Sequence, residues 1–483
     1  MIHTSYKSYS RNQFLRDVEN CTGFLKDSKV EAGNRIALTS DNSYSFMVVF
    51  FSLVKLDCSI VLVDCMMGEK EVKRIIEDSG AVFCISDRTL SSIKKVPVRL
   101  LDMDINLRNR NLSPEVMDSS FKKWSDRKDA LILYTSGSSG NSKGIIKSGH
   151  SFLTNLECTI EKMRYYSSDV LLPVIPFTHF YGLSLIFVWW FVDCSIVLTN
   201  YRKVRSIVKA IEDHQVTVVD AIPSTYYVLA ELLKKRRETL DLIRGSSVRM
   251  WCIGGSPLSS KLAEEFHQVT GKPLLDGYGL SEVGNIALNT SDYLQGCGLP
   301  LPGIQLKIVD EAGQEVNREE SGEILVKSPG LMEGYLGLHK ETDSAFLDGW
   351  FRTNDLGYLN EDGNLFIIGR KGNAFLRKGY VVYPASIEKK LSDSLGLKGK
   401  IVTFDDAKKD SYVLLMIESP PQEEASLRRA ILDEIEPVYQ PDRIVFLGSF
   451  PLLNNGKIDL ISLKFLALKW SKHRLEEEEC LTQ

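Results

Sequence analysis

The sequence has no CxxC pair. Its nine cysteines, at 21, 58, 65, 84, 158, 194, 252, 297 and 480, come no closer together than Cys58 and Cys65, seven positions apart. Zinc sites of ordinary spacing are thereby excluded, and the odd count fits free thiols in a reducing compartment rather than a disulfide framework. Charge of one sign is not in excess: 59 basic residues face 63 acidic ones, for a net charge of −4. Such a chain has no general attraction for nucleic acid. A run of roughly 20 apolar residues able to span a membrane is also missing. The longest candidate, Leu183 to Leu198 (LSLIFVWWFVDCSIVL), contains Asp193 and reads as a buried helix running into a buried strand. The opening MIHTSYKSYSRNQF has no apolar core of the kind a secretory signal requires. No repeat of 20–50 residues is visible. These absences predict a cytoplasmic chain with no membrane span and no nucleic-acid partner.

What is present is an ordinary globular composition, 43% hydrophobic and 25% charged over 483 residues, enough for two to four structural units. Arg11 to Lys26 carries apolar residues at helical spacing (Phe14, Leu15, Val18, Phe24, Leu25), and Arg35 to Ser40 is a short apolar strand. Helices follow at 43–55 and 69–79, the latter ending at Gly80, with strands at 58–63 and 81–86. Further strands read at 130–134, 170–175, 196–199, 216–222 and 248–253, with a helix at 224–235. This alternation predicts parallel β-α-β units. After about Gly284 the segments shorten and turns crowd in (GCGLPLPG, 296–303; NEDGN, 360–364), which predicts a β subdomain. From about Arg370 strands and helices mix again.

Four segments carry chemistry. Thr135 to Gly144, TSGSSGNSKG, packs three glycines and five hydroxyl residues behind an apolar strand, with Lys143 near its end. Glycines admit close backbone approach, hydroxyls and amides donate hydrogen bonds, and a lysine adds a point charge, a set suited to a polyphosphate. The GxxxxGK[ST] spacing does not fit it, which disfavours a P-loop NTPase. The second segment is Asp276 to Glu282, DGYGLSE, preceded by Ile253-Gly-Gly-Ser-Pro257. There Tyr278 can offer a ring face, and Glu282 a hard anionic ligand for Mg²⁺. The third, Gly349 to Gly357 (GWFRTNDLG), is followed by Gly369-Arg370; an Asp in such a loop can accept two hydrogen bonds from a ribose. The fourth is Asn454-Asn-Gly-Lys-Ile458. Taken singly, each is equally an ordinary loop or turn.

In this order and at these separations the four segments resemble the adenylate-forming superfamily: acyl-CoA synthetases, nonribosomal peptide adenylation domains and beetle luciferases. The resemblance covers nearly the whole chain. PFTHFYG (176–182) is similar to the aromatic/His motif beside the acyl pocket, GYGLSE to YGxTE with Ser281 in the Thr place, TND (353–355) to TGD, 369–388 to the hinge segment, and PLLNNGKID (451–459) to the closing PxxxxGKxx motif. The resemblance implies an α/β fold: a large N-terminal domain, residues 1–369, of two α/β subdomains plus a β subdomain, and a small mobile α+β lid, residues 370–483. It implies that Thr135, Ser136, Gly137, Ser138, Ser139, Gly140 and Lys143 hold the β- and γ-phosphates of ATP. Tyr278 would stack on adenine against the Gly254–Gly255 backbone, with Ser256, Asp276, Gly277 and Gly279 completing the nucleotide wall. Ser281 would contact the α-phosphate, Glu282 would ligate Mg²⁺, and Asp355 would bind the ribose with Arg370 nearby. Lys457 would bridge the acid and the α-phosphate, and His179 would line or gate the acid pocket. The implied partners are a small carboxylic acid and the thiol of CoA or a carrier protein.

Three departures from the family pattern stand out. Gly372 occupies the hinge position where Asp or Lys is usual. Phe375-Leu376 stands where a Lys usually serves the thioester step, with Arg377 and Lys378 following. Less chain precedes the first helix than is usual, which implies a trimmed first subdomain. The second departure keeps an adenylate-only enzyme as the main rival reading. A non-catalytic nucleotide-binding protein is disfavoured by the joint presence of Lys143, Glu282, Asp355, Arg370 and Lys457. The 176–182 segment holds no acid, so an α-ammonium would find no partner there; an aryl or a fatty acid fits better.

Overall fold

The computed structural model describes residues 1–88, 90, 99–102, 118–135, 142–292, 294–371, 375–377, 380–382, 384–406, 409–419, 424–435, 440–453, 458–460 and 462–468. Local signals set the elements. Ser10 caps the helix Arg11–Asp27, its hydroxyl accepting from the Gln13 N–H at 3.2 Å. Ser43 does the same for Tyr44–Lys55 through Phe46. The amphipathic helix Glu69–Ser79 stops on Gly80, whose φ of +66° is left-handed. The expected helix-to-strand run appears as the helix Phe180–Val192 and the strand Ser195–Leu198, with ten residues of the helix buried.

Two mostly parallel sheets carry the body. The first has seven strands in the order Gly334–Tyr335, Lys143–Lys147, Leu131–Thr135, Ser59–Leu62, Arg35–Thr39, Phe83–Ser86, Arg99–Asp102. The first two of these are antiparallel additions to a parallel core. The second has nine strands: Leu299–Pro300, Gly284–Leu288, Leu275–Leu280, Met250–Ile253, Val218–Ala221, Val170–Val174, Ser195–Leu198, Ile2–Thr4 and Ser8–Tyr9. One aromatic-rich core lies between helices of both units, where Phe50, Phe51, Trp124, Phe152, Phe187 and Trp189 are all buried. Burying each such ring stabilises the fold by roughly 2–3 kcal/mol before entropy is counted. A third, antiparallel sheet holds Gln305–Val309, Gly322–Lys327, Trp350–Leu359, Phe346–Leu347 and Leu365–Arg370. The expected β subdomain is therefore present.

The chain from Phe375 onward forms a hairpin (Phe375–Arg377, Tyr380–Val382), a three-stranded sheet (Lys398–Asp406, Lys409–Glu418, Arg443–Leu447) and the helices Pro384–Leu395 and Glu424–Glu434. Its two hydrophobic clusters draw on residues between Val382 and Ala467 alone. The first ten residues, to which the sequence alone assigned no element, supply two strands at one end of the second sheet. Ile2–Thr4 lies parallel to Ser195–Leu198 in the second sheet, and Ile2 is fully buried. Three residues are too short a run for periodicity to reveal. Among the described residues no helix is long and apolar enough to cross a membrane.

Candidate active site

The C-terminal ends of the parallel strands of the second sheet open onto a cavity of about 900 Å³, where ligands of open α/β sheets commonly bind. Three chain segments build one wall of it. The strand Met250–Ile253 runs out into Gly254 and Gly255, and the latter holds a left-handed φ of +82°. The strand Leu275–Leu280 brings Asp276, Gly277, Tyr278 and Gly279, and the turn after it brings Ser281 and Glu282. A Cβ on Gly277 would sit 2.6 Å from Leu288 Cδ2 on the paired antiparallel strand, so a larger residue here would have to displace that leucine side chain. The third segment is the strand Trp350–Leu359, on which Asp355 pairs in register with Arg370.

These segments meet through side chains. The Tyr278 hydroxyl donates to Asp355 Oδ2 at 2.7 Å, and Arg370 Nε lies 3.5 Å from Asp355 Oδ1. Burial pushes the Asp355 carboxyl up, an effect that Arg370 and the Tyr278 hydroxyl only partly offset. Asp276 is pushed up to about 7 by burial, offset in part by the Cys297 thiol and the Gly277 N–H. Glu282 Oε1 accepts from the Tyr335 hydroxyl at 3.1 Å. Lys143 also lines the cavity, its ammonium 5.2 Å from the centre of the Tyr335 ring. Lys147 is fully buried beneath Glu282, its ammonium donating to the carbonyls of Gly330 and Glu282.

Most of the residues named from sequence are thus brought together. Gly254, Gly255, Asp276, Gly277, Tyr278, Gly279, Ser281, Glu282, Lys143, Arg370 and His179 all line the one cavity, and Asp355 joins through Tyr278 and Arg370. Ser256 is exposed and is not among the lining residues. Thr135 ends its strand opposite Lys143. Ser136, Gly137, Ser138, Ser139, Gly140, Gly372, Lys378 and Lys457 lie outside the described residues. Leu376 is described by its backbone, which pairs with Val381.

Four side chains went unnoticed in the sequence. Arg74 and Glu71 grip the Ser142 hydroxyl at the exit of the 135–144 loop, and Arg74 also bonds the Ser142 carbonyl at 3.1 Å. Asp64 receives His179 Nε2 at 3.0 Å. Burial would raise the Asp64 carboxyl, but the hydrogen bond and charge of His179 outweigh it and hold the group below its ordinary value. Asp220 accepts from the Tyr181 hydroxyl at 2.9 Å on the cavity's inner wall. Nothing local announces Arg74 or Asp64. Asp220 alone had a signal, as the single acid in the apolar strand segment VTVVDAI.

Glu282 lines the cavity, and among the described residues no group of three His, Cys, Asp or Glu could hold a metal. One carboxylate shared with phosphate oxygens is the way Mg²⁺ is commonly bound beside a nucleotide, so the donor set fits that ion. The glycine wall, which a Cβ would fill, fits a flat base.

Comparison with known proteins agrees. A family model described as AMP-binding enzyme matches residues 1–336. The peroxisomal OPC-8:0-CoA ligase 1 of Arabidopsis thaliana is 26% identical over 484 residues, covering 93% of this chain and 88% of that protein. The fatty acid–[acyl-carrier-protein] ligase ScoC of Streptomyces coeruleorubidus is 26% identical over 478 residues, covering 94% and 90%. Among solved structures, ATP-bound MatB from Rhodopseudomonas palustris superposes with a TM-score of 0.85 at 23% identity, covering 96% of this chain and 95% of that one. MenE from Bacillus subtilis with its acyl-adenylate OSB-AMP gives 0.83 at 22%, covering 95% and 93%. These two establish the shared fold. The family match spans well over half of the 483 residues, and the chain belongs to the AMP-binding enzymes.

Proposed function

We propose that the protein activates a small carboxylic acid, aryl or fatty, with ATP and passes it to the thiol of CoA or of a carrier protein. A carboxylate oxygen attacks the α-phosphorus, the bond to the bridging oxygen breaks, and pyrophosphate leaves. The thiol then attacks the acyl carbonyl, losing its proton, and AMP departs. The observation that carries this reading is the gathering of Lys143, Gly254, Tyr278, Ser281, Glu282 and Arg370, from remote parts of the chain, on one cavity.

The roles implied by the family resemblance are chemically consistent with these residues. Tyr278 and the Gly254–Gly255 backbone offer a slot for adenine, and Asp355, tied to Tyr278 and Arg370, accepts from the ribose hydroxyls. Lys143 and the 135–144 loop hold the β- and γ-phosphates, and Ser281 donates to the α-phosphate. Mg²⁺ on Glu282, when bound, neutralises the charge of the departing pyrophosphate. Lys457 brings a cation to the point where carboxylate and phosphate meet and orients the attack. His179, fixed by Asp64, stands at the acid side. Residues 1–369 act as the binding body and residues 370–483 as a lid carrying Lys457. The eight described cysteines are all free thiols, which supports the cytosol as the compartment.

Leu376 in the place of the family's lysine favours a second reading, in which the reaction stops at the adenylate. Acid-dependent ATP–pyrophosphate exchange tests the first half-reaction, and CoA consumption in the same vessel tests the second. Exchange without consumption, with carrier proteins also inert, selects the adenylate-only reading. No exchange with any acid contradicts both.

A further inference from the structure

The inner wall of the cavity holds a buried acid that the adenylation chemistry does not use. Asp220 is 1% exposed, on the strand Val218–Ala221 near the middle of the second sheet. It stands in register with Pro173 on one side and Cys252 on the other. Its Oδ1 accepts from the Tyr181 hydroxyl, while its Oδ2 is buried with no partner beyond the weak donor of the nearby Cys252 thiol. The groups against it are Tyr181, Tyr165, Tyr226 and the Cys252 thiol, none of them a cation. Burial pushes the carboxyl up to about 7, and the Tyr181 hydroxyl and Cys252 thiol return only part of that shift. A half-satisfied buried carboxylate is a costly group to keep in a core.

Its position says what could satisfy it. Cys252, its register partner, lies two residues before Gly254 on the neighbouring strand, so Asp220 sits roughly 6–7 Å below the nucleotide wall at about 3.3 Å per residue. The Tyr181 ring lies between the two levels: a Cβ on Gly254 would be 3.0 Å from Tyr181 Cε1. The cavity lining also includes Met163, Tyr165, Ser184, Leu185 and Val188, apart from Ser184 a largely apolar set. An acid whose carboxylate faces the α-phosphate would extend its tail past Tyr181 toward Asp220.

We infer that Asp220 determines substrate choice: it reads a hydrogen-bond donor, a hydroxyl or an ammonium, at the far end of the carboxylic acid. The inference rests on the acid-activating reading above and narrows it from plain aryl or fatty acids to acids with a polar tail. A site built to bond a donor rejects the analogue lacking it more strongly than an apolar pocket rejects an added hydroxyl, because the buried acceptor is left unpaired.

The test uses the full-length protein and ATP–pyrophosphate exchange with matched acids: 3-phenylpropanoate beside its 4-hydroxy and 4-amino analogues, and hexanoate beside its 6-hydroxy and 6-amino analogues. The expected result is a kcat/KM at least tenfold higher for a donor-bearing acid than for its plain counterpart. The hydroxy and amino arms distinguish a neutral from a cationic donor. Asp220→Leu should erase or reverse that preference while the KM for ATP stays unchanged. Asp220→Asn, nearly isosteric, should lose the amino arm and retain part of the hydroxy arm, and the wild-type comparison needs no variant at all. Plain acids matching or exceeding their donor-bearing partners would overturn the inference and leave the activation reading standing. Exchange with none of the acids would overturn both.

Discussion

The two walls of the cavity are built differently. The nucleotide-side wall is made of short contiguous runs, Gly254–Gly255 and Asp276–Glu282, whose glycines and backbone set the shape. The acid-side wall takes one residue at a time from separate elements: Met163 and Tyr165 at the end of one helix, Tyr181 and Ser184 on the next, Asp220 and Cys252 on two strands. The charges differ as well. Glu282 lines the cavity with a hydroxyl partner and Asp355 is paired with Tyr278 and Arg370, whereas Asp220 is nearly fully buried with a hydroxyl on one oxygen and no cation beside it. A wall that recognises an invariant cofactor-like substrate can use backbone geometry. A wall that must choose among acids has to use individual side chains.

This contrast can be broken by substitution. Changes on the nucleotide side should lower activity with every acid alike, and changes on the acid side should reorder the acids. The largest effect belongs to Lys457→Ala, which is expected to slow pyrophosphate exchange by at least about 100-fold for all acids, while thioester formation from preformed adenylate falls less. Equal exchange by variant and wild type would remove Lys457 from the reaction. Asp355→Ala should raise the KM for ATP about tenfold, near 1.4 kcal/mol, with little change in the order of acids. An ATP dependence identical to wild type would deny Asp355 the ribose. Tyr335→Phe removes one hydrogen bond from Glu282 and should raise the Mg²⁺ concentration for half-maximal exchange by only a few-fold. A change in acid preference instead would show that the two walls are not independent.

The last prediction concerns stability and lies outside the scale of the rate effects. Asp220 holds its proton in the fold up to about pH 7 and in the unfolded chain only to its ordinary value near 3.8. The native state therefore binds more protons between these values, and stability falls as pH rises through that window. Asp220→Asn carries no such charge. Its denaturation midpoint relative to wild type should climb from pH 4 to pH 7 and level off above, by roughly 1–3 kcal/mol in all. A difference independent of pH would mean that the carboxyl stays at its ordinary value.

The same contrast explains what was legible in the sequence. The motif-bearing wall could be read because glycine and hydroxyl clusters leave a compact trace: Gly254, Tyr278, Ser281 and Glu282 were all named and all face the cavity. The parallel β-α-β pattern was legible because its strands are continuous apolar runs, as at Ser59–Leu62 and Met250–Ile253. The acid wall was not. The segment 176–182 holds no acid, and the carboxylate that meets its Tyr181 comes from Asp220, 39 positions away on another strand. Asp64, which fixes His179, is 115 positions from it. Such pairs are made by sheet order, which short-range periodicity does not encode. The strand Ile2–Thr4 escaped for the same reason: its parallel partner, Ser195–Leu198, is nearly two hundred residues on.

The most direct measurement is pyrophosphate exchange by the purified full-length protein with Mg²⁺ and ATP, with the acid added last. The account predicts exchange that is absent without acid, appears with one chemical class of acid, and is lost in Lys457→Ala. Exchange that ignores the acid, or that survives undiminished in Lys457→Ala, would contradict it.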